Sequence, residues 1–147
     1  MTDYDKPRAS VVWQGDLMFE GAARSGFTVA LDAEADVGGQ DSGFRPLELM
    51  LVGLAGCTAM DVISILKKKR EDVTAFEVRV YGQRAKEHPR VYTDIELEYL
   101  ITGRNVNPKS VERAIELSET AYCPAQAMLR PCANIRSRYR IIEAEPA

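Results

Sequence analysis

The longest apolar stretch of the chain is PLELMLVGLAGCTAMDVISILKKKR, residues 46–70, and the remaining pattern is arranged around it. Pro46 suits a first helical turn, where the missing N–H costs nothing, and Lys67, Lys68, Lys69 and Arg70 suit the carbonyl end of the helix dipole. From Leu47 to Leu66 nearly every face is apolar, which predicts a helix buried on most sides. Gly53 and Gly56 each cost about 1 kcal/mol relative to alanine in a helix, so another backbone is expected to pack closely there. Glu48 and Asp61 interrupt the run and leave fewer than the roughly 18 uncharged residues of a membrane span. The expectation is a core helix with Cys57 deep inside.

Around this helix the hydrophobic period is two. Residues 9–13, 17–22 and 27–32 read as short strands, with Gly15 and Ser25-Gly26 as turns, and should form a meander. Residues 35–44, ADVGGQDSGF, read as a loop leading into the helix. After it, Phe76, Val78 and Val80 alternate with Glu77 and Arg79, and Ile95, Leu97 and Tyr99 alternate with Glu96 and Glu98. These are two long half-buried strands joined by the polar GQRAKEHPR, and antiparallel pairing is expected because a parallel pair needs a longer crossover. Asn107 and Pro108 open a second helix as N-cap and N1, with Val111, Ala114, Ile115, Ser118 and Tyr122 on one face. Pro124 and Pro131 then break it, leaving a short piece at 125–130 and Cys123 at the break. Residues 134–143 alternate Ile135, Ser137, Tyr139 and Ile141 with Arg136, Arg138 and Arg140, an edge strand with a basic outer face. The order of elements is that of an α+β domain with antiparallel sheets, one domain over residues 1–147.

Composition narrows the function. With 147 residues, 46% hydrophobic and 28% charged, the chain can bury a sizeable core. A net charge of −3 leaves no basic footprint for nucleic acid or an anionic membrane surface. The N-terminus MTDYDKPRAS lacks the pattern of a signal peptide, so a cytoplasmic location with reduced thiols is expected. Cys57, Cys123 and Cys132 form no CxxC pair, and with His88 the only histidine a four-ligand zinc site is hard to assemble. Redox or nucleophilic use of cysteine remains.

Free cysteine is among the most buried residue types, so Cys57 by itself reads as packing. Cys123 supplies the second thiol that a dithiol cycle needs: one thiolate attacks a peroxide oxygen and becomes a sulfenic acid, and the other condenses with it to a disulfide. Their separation of 66 residues leaves contact open. An unassisted thiol has a reference pKa of about 8.5 and burial raises it, so a cation is required. Arginine aimed by a carboxylate fits best, with Glu48 as the carboxylate and Arg45, Arg24 or Arg8 as the arginine. On a straight helix Glu48 and Cys57 stand about 13 Å apart along the axis and about 180° around it. Either Glu48 serves the helix N-terminus, or a second subunit completes the site. His88 reads as solvated, and Cys132 as a packed free thiol.

Taken together, RPLELMLVGLAGCTAMDVISILKKKR, HPRVYTDIELEYLITGRN and AIELSETAYCPAQAML resemble the osmotically inducible protein C and organic hydroperoxide resistance (OsmC/Ohr) family, most closely its YhfA-like branch. The resemblance covers nearly the whole chain. It implies an OsmC-like fold, an intertwined homodimer whose long central helices are clasped between sheets, with sites at the subunit interface. It further implies a thiol-dependent peroxidase for organic hydroperoxides, in which Cys57 is the peroxidatic cysteine, Cys123 the resolving one, and an external thiol the reductant. No metal or flavin is implied. In the family pattern the supporting glutamate follows the proline directly; here Leu47 stands there and Glu48 comes one place later, with Arg24 and Arg45 offered for the arginine. The alternative is a small-molecule binding or thiol-storage dimer of the same fold with little peroxidase activity.

Overall fold

Short alternating runs punctuated by glycine give the first part of the chain its strands. The computed structural model describes residues 6–146, and the chain divides into two compact units, the first ending at Met50 and the second beginning at Leu51. In the first, β1 (Ala9–Gly15), β2 (Met18–Ala23) and β3 (Thr28–Leu31) form the expected antiparallel meander. Gly15 at φ 110° and Asp16 at φ 47° make its first turn.

One carboxylate orders the loop after β3. Asp32, only 3% exposed, accepts hydrogen bonds from the amides of Ala33 at 2.7 Å, Gln40 at 3.1 Å and Ser42 at 3.1 Å, and from the Ser42 hydroxyl at 2.5 Å. Gly39 lies so close to Ala33 that a Cβ there would stand 1.9 Å from the Ala33 carbonyl oxygen. Only glycine fits. The loop delivers the chain to α1 (Pro46–Lys68), where Glu48 Oε2 accepts from the Arg45 amide at 3.1 Å, the return half of a capping box. At the other end Arg70 adopts a left-handed φ of 60°. The Arg70 amide donates to the Lys67 carbonyl and the Glu71 amide to the Leu66 carbonyl, a Schellman closure.

Within the second unit, α1 is buried along one stripe, Leu54, Thr58, Val62 and Leu66, each four residues from the last. This departs from the expectation of burial on most sides. Met50, Val52 and Met60 are 49%, 55% and 73% exposed, and a Cβ built at Gly53 or Gly56 meets nothing within 4 Å. Among the described residues no backbone from outside the helix comes that close to those glycines. The expectation that Glu48 and Asp61 disqualify α1 as a membrane span also needs correction: by length and hydropathy alone the helix is long and apolar enough to cross a bilayer. What marks it as a core helix is the stripe itself, which packs into the domain's own apolar cluster.

That cluster is built on β5. The strands β4 (Asp72–Arg84), β5 (Tyr92–Arg104) and β6 (Asn134–Glu143) form one sheet with β5 central. Ile95, Leu97, Tyr99 and Ile101 alternate inward along β5, at 2% exposure or less, and meet Leu54, Val62 and Leu66 of α1 and Val111, Ala114 and Ile115 of the next helix. The β4–β5 pair is antiparallel as predicted, but β5 and β6 run parallel, ten residues in register. The helical segment between them is therefore a crossover. On the sheet's outer surface Arg138 pairs with Glu98 at 2.9 Å and lies over the Tyr81 ring.

The crossover begins as predicted. Asn107 Oδ1 caps α2 (Pro108–Leu117) by accepting from the Lys109 amide at 3.0 Å. The helix then widens into a π turn, Ser118–Tyr122, closed by the Cys123 amide on the Ser118 carbonyl at 2.9 Å, before α3 (Pro124–Leu129). Val111, Ala114, Ile115 and Ser118 are buried as their spacing requires. Tyr122 is not: the wider turn carries it off that face, to 60% exposure.

The Asp32 cluster has an acid signature. Its hydrogen bonds, that from the Ser42 hydroxyl foremost, hold the carboxyl at about 2, below the ordinary 3.8. The stabilisation this gives is complete above about pH 4 and is lost as pH falls towards 2. Urea unfolding of the wild type and Asp32→Asn should differ most above pH 4 and converge near pH 2; a difference independent of pH would contradict the assignment.

Candidate active site

The two cysteines are delivered by different elements of the second unit. Cys57 stands in the middle of α1, one residue before the buried stripe position Thr58, and is partly accessible. Cys123 lies at the break between the π turn and α3 and is 3% exposed. There its sulfur accepts from the Gln126 amide at 3.4 Å and caps α3. Both thiols are free, and Cys57 stands near enough to Cys123 to bear on its ionisation. Burial pushes the Cys123 thiol up to about 11 against the pull of the Gln126 amide, and the neighbouring Cys57 pushes the same way. Cys123 is therefore a protonated thiol at neutral pH, held beside a more accessible one.

In the same unit a cleft of about 580 Å³ is lined by Asp61, Ser64, Ile65, Lys68, Lys69, Leu117 and Tyr122. Asp61, Ser64, Ile65 and Lys68 come after Cys57 by four, seven, eight and eleven residues, so they continue the face of α1 that carries it. Tyr122, turned outward by the π turn and the residue before Cys123 in sequence, lines the cleft from the crossover together with Leu117.

Behind the thiols is a set of polar residues that the sequence pattern does not single out. Thr58 Oγ1 lies 2.8 Å from Tyr99 Oη and 2.8 Å from Ser118 Oγ, and accepts from Gln126 Nε2 at 3.1 Å. Ser118 Oγ donates to Asp61 Oδ2 at 2.9 Å, and Arg130 Nη2 donates to Gln126 Oε1 at 2.7 Å. Thr58, Tyr99, Ser118 and Gln126 are all fully buried. Burial pushes the Tyr99 phenol up to about 12, so it remains a hydroxyl. The available signal was Thr58, a polar residue midway between Leu54 and Val62 on one stripe.

The other candidates have different surroundings. Arg45, Glu48 and Arg24 belong to the first unit. Arg45 is engaged by Glu34 at 3.3 Å, by Asp41 and by the Gly43 carbonyl, while Glu48 turns back to the Arg45 amide. The Arg24 amide donates to the Arg8 carbonyl at 2.9 Å. Cys132 is exposed, not packed, and so is His88, in the β4–β5 connection.

Comparison with known proteins bears on the family and the fold. The family of OsmC-like proteins matches residues 39–138. Protein YhfA of Escherichia coli (strain K12) is 36% identical over 137 residues, 93% of this chain and 99% of YhfA. The crystal structure of a hypothetical protein from Aquifex aeolicus VF5 is 28% identical, with a TM-score of 0.83 over 96% of this chain and 99% of that one. The organic hydroperoxide resistance protein OhrB of Bacillus subtilis shares the fold, with a TM-score of 0.59 at 13% identity over 90% of this chain and 97% of its own.

Proposed function

That the chain belongs to the OsmC-like protein family is the premise from which we propose that it is a thiol-dependent peroxidase reducing organic hydroperoxides through a two-cysteine cycle. The observation that carries the reading is the juxtaposition of an accessible thiol, Cys57, and a buried one, Cys123. As a thiolate, Cys57 attacks the terminal peroxide oxygen; the O–O bond breaks, the alcohol leaves with a proton, and Cys57 becomes a sulfenic acid. Cys123 then forms the S–S bond, its thiol proton leaving with the sulfenic hydroxyl as water. An external thiol returns both cysteines to the reduced state. The cleft that begins at Asp61, one helical turn after Cys57, supports an organic substrate, since Ile65, Leu117 and Tyr122 offer apolar wall.

The exposed apolar surface of α1 bears on assembly. Met50, Val52 and Met60, with the open space over Gly53 and Gly56, support a homodimer in which a second copy covers this helix. Patches of this kind mark interaction sites.

A specific observation favours a second reading, a small-molecule binding or thiol-storage dimer. Arg45 is engaged by loop acids and Glu48 caps its own helix, so neither is free of other duties to support a reactive thiolate.

Intact mass separates the two. One equivalent of cumene hydroperoxide should remove two hydrogens from the reduced protein through a Cys57–Cys123 link, and in Cys123→Ser should add one oxygen at Cys57. Unchanged masses would leave the binding reading. In steady state, kcat/KM for cumene hydroperoxide should exceed that for H₂O₂ by about tenfold, because burying about 60 Å² of hydrocarbon contributes about 1.5 kcal/mol; equal values would exclude the cleft as the organic site. Light scattering should give twice the chain mass, and a monomer would remove the dimer.

A further inference from the structure

We propose that Thr58 is the positioning residue of the dithiol, its hydroxyl fixing where Cys123 stands relative to Cys57. The inference rests on the two-cysteine reading for its use in turnover, but its geometry is independent of peroxide chemistry.

The protons in the buried network have one consistent arrangement. Arg130 is a donor only, so the Gln126 oxygen faces it and the Gln126 amide nitrogen must face Thr58. The Asp61 carboxylate is an acceptor only, so the single Ser118 hydroxyl proton goes to it. Ser118 Oγ must then accept from Thr58, which commits the Thr58 proton, and Tyr99 must donate to Thr58. Thr58 therefore donates once and accepts twice, a full complement for a hydroxyl, and among the described residues no buried side-chain polar atom lacks a partner.

Position gives this closure its meaning. Thr58 comes directly after Cys57, while Ser118 and Gln126 stand five residues before and three after Cys123. The hub thus ties both flanks of one cysteine to the neighbour of the other. Gln126 does so twice over, since its backbone amide also holds the Cys123 sulfur. A hydroxyl with three partners at 2.8–3.1 Å leaves the π turn and α3 little room to move against α1.

The test is the equilibrium of the Cys57–Cys123 pair with glutathione buffers, in a Cys132→Ser background, read by acid quench, alkylation and mass. In that exchange the glutathione disulfide bond breaks, the protein disulfide forms, and two electrons and two protons pass to two glutathione thiols. Thr58→Val should lower the equilibrium constant by about tenfold or more, the scale of losing alignment between reacting atoms, and Thr58→Ser should restore it to within about threefold. A folded Thr58→Val with the wild-type constant would overturn the proposal. Should Thr58→Val not fold, Ser118→Ala frees the π-turn flank alone and should still lower the constant by about threefold or more; an unchanged value there would overturn it too. With hydroperoxide as oxidant, Thr58→Val should accumulate sulfenic acid where the wild type passes on to disulfide. A protein inert to hydroperoxides yet responding to Thr58 in glutathione would sink the peroxidase reading and leave this one standing.

Discussion

The Asp61 carboxylate sets the direction of the hydroxyl chain buried between α1 and the crossover segment. Because it can only accept, Ser118, Thr58 and Tyr99 are each left with one orientation in which every proton has a taker. A buried donor or acceptor left without a partner costs about 1–3 kcal/mol, so shifting α1 against the crossover would sacrifice several such bonds together. The apolar cluster supplies most of the attraction between these elements. It is indifferent to small slides, and the polar chain is not.

The placement of the cysteines depends on the sheet. Parallel pairing of β5 and β6 obliges the chain to cross over, and α2, the π turn and α3 are that crossover. It packs on the face of the sheet where Tyr99 points and where α1 lies, which brings Cys123 towards the middle of α1. The oppositely facing residues of β5, Glu96 and Glu98, are taken up by Arg138 of β6, so one strand serves the core with one face and an ion-pair surface with the other.

Much of this architecture was legible in the sequence. The meander, the limits of α1, the β4–β5 hairpin and the Asn107 cap all rest on local signals: period-two alternation, Pro and Gly punctuation, and an Asn-Pro pair at a helix start. The parallel strand was not legible, because alternation records which residues face inward and carries no information on strand direction. Tyr122 leaves its expected face because helical spacing does not carry across a π turn. The apolar length of α1 reported a need for cover without saying whose atoms provide it. Of the candidate site, the two cysteines come together. The inward placement of Ser118 and Tyr99 was legible, but the network that joins them to Thr58 and Gln126 was not, because a lone hydroxyl or amide looks like a tolerated substitution until its partners, up to 68 residues away, are seen.

The π turn amounts to one residue more than an α-helix would use over the same length. Its ends are anchored, with α2 packed in the core and β6 in register with β5, so the surplus cannot slide elsewhere. Loss of a single residue between Ser118 and Tyr122 would let the turn relax to α-helix and rotate the chain beyond it by about 100°. Cys123 would then leave the face that meets Cys57. The spacing of the two thiols is thus written as an insertion, and it depends on the length of this five-residue segment.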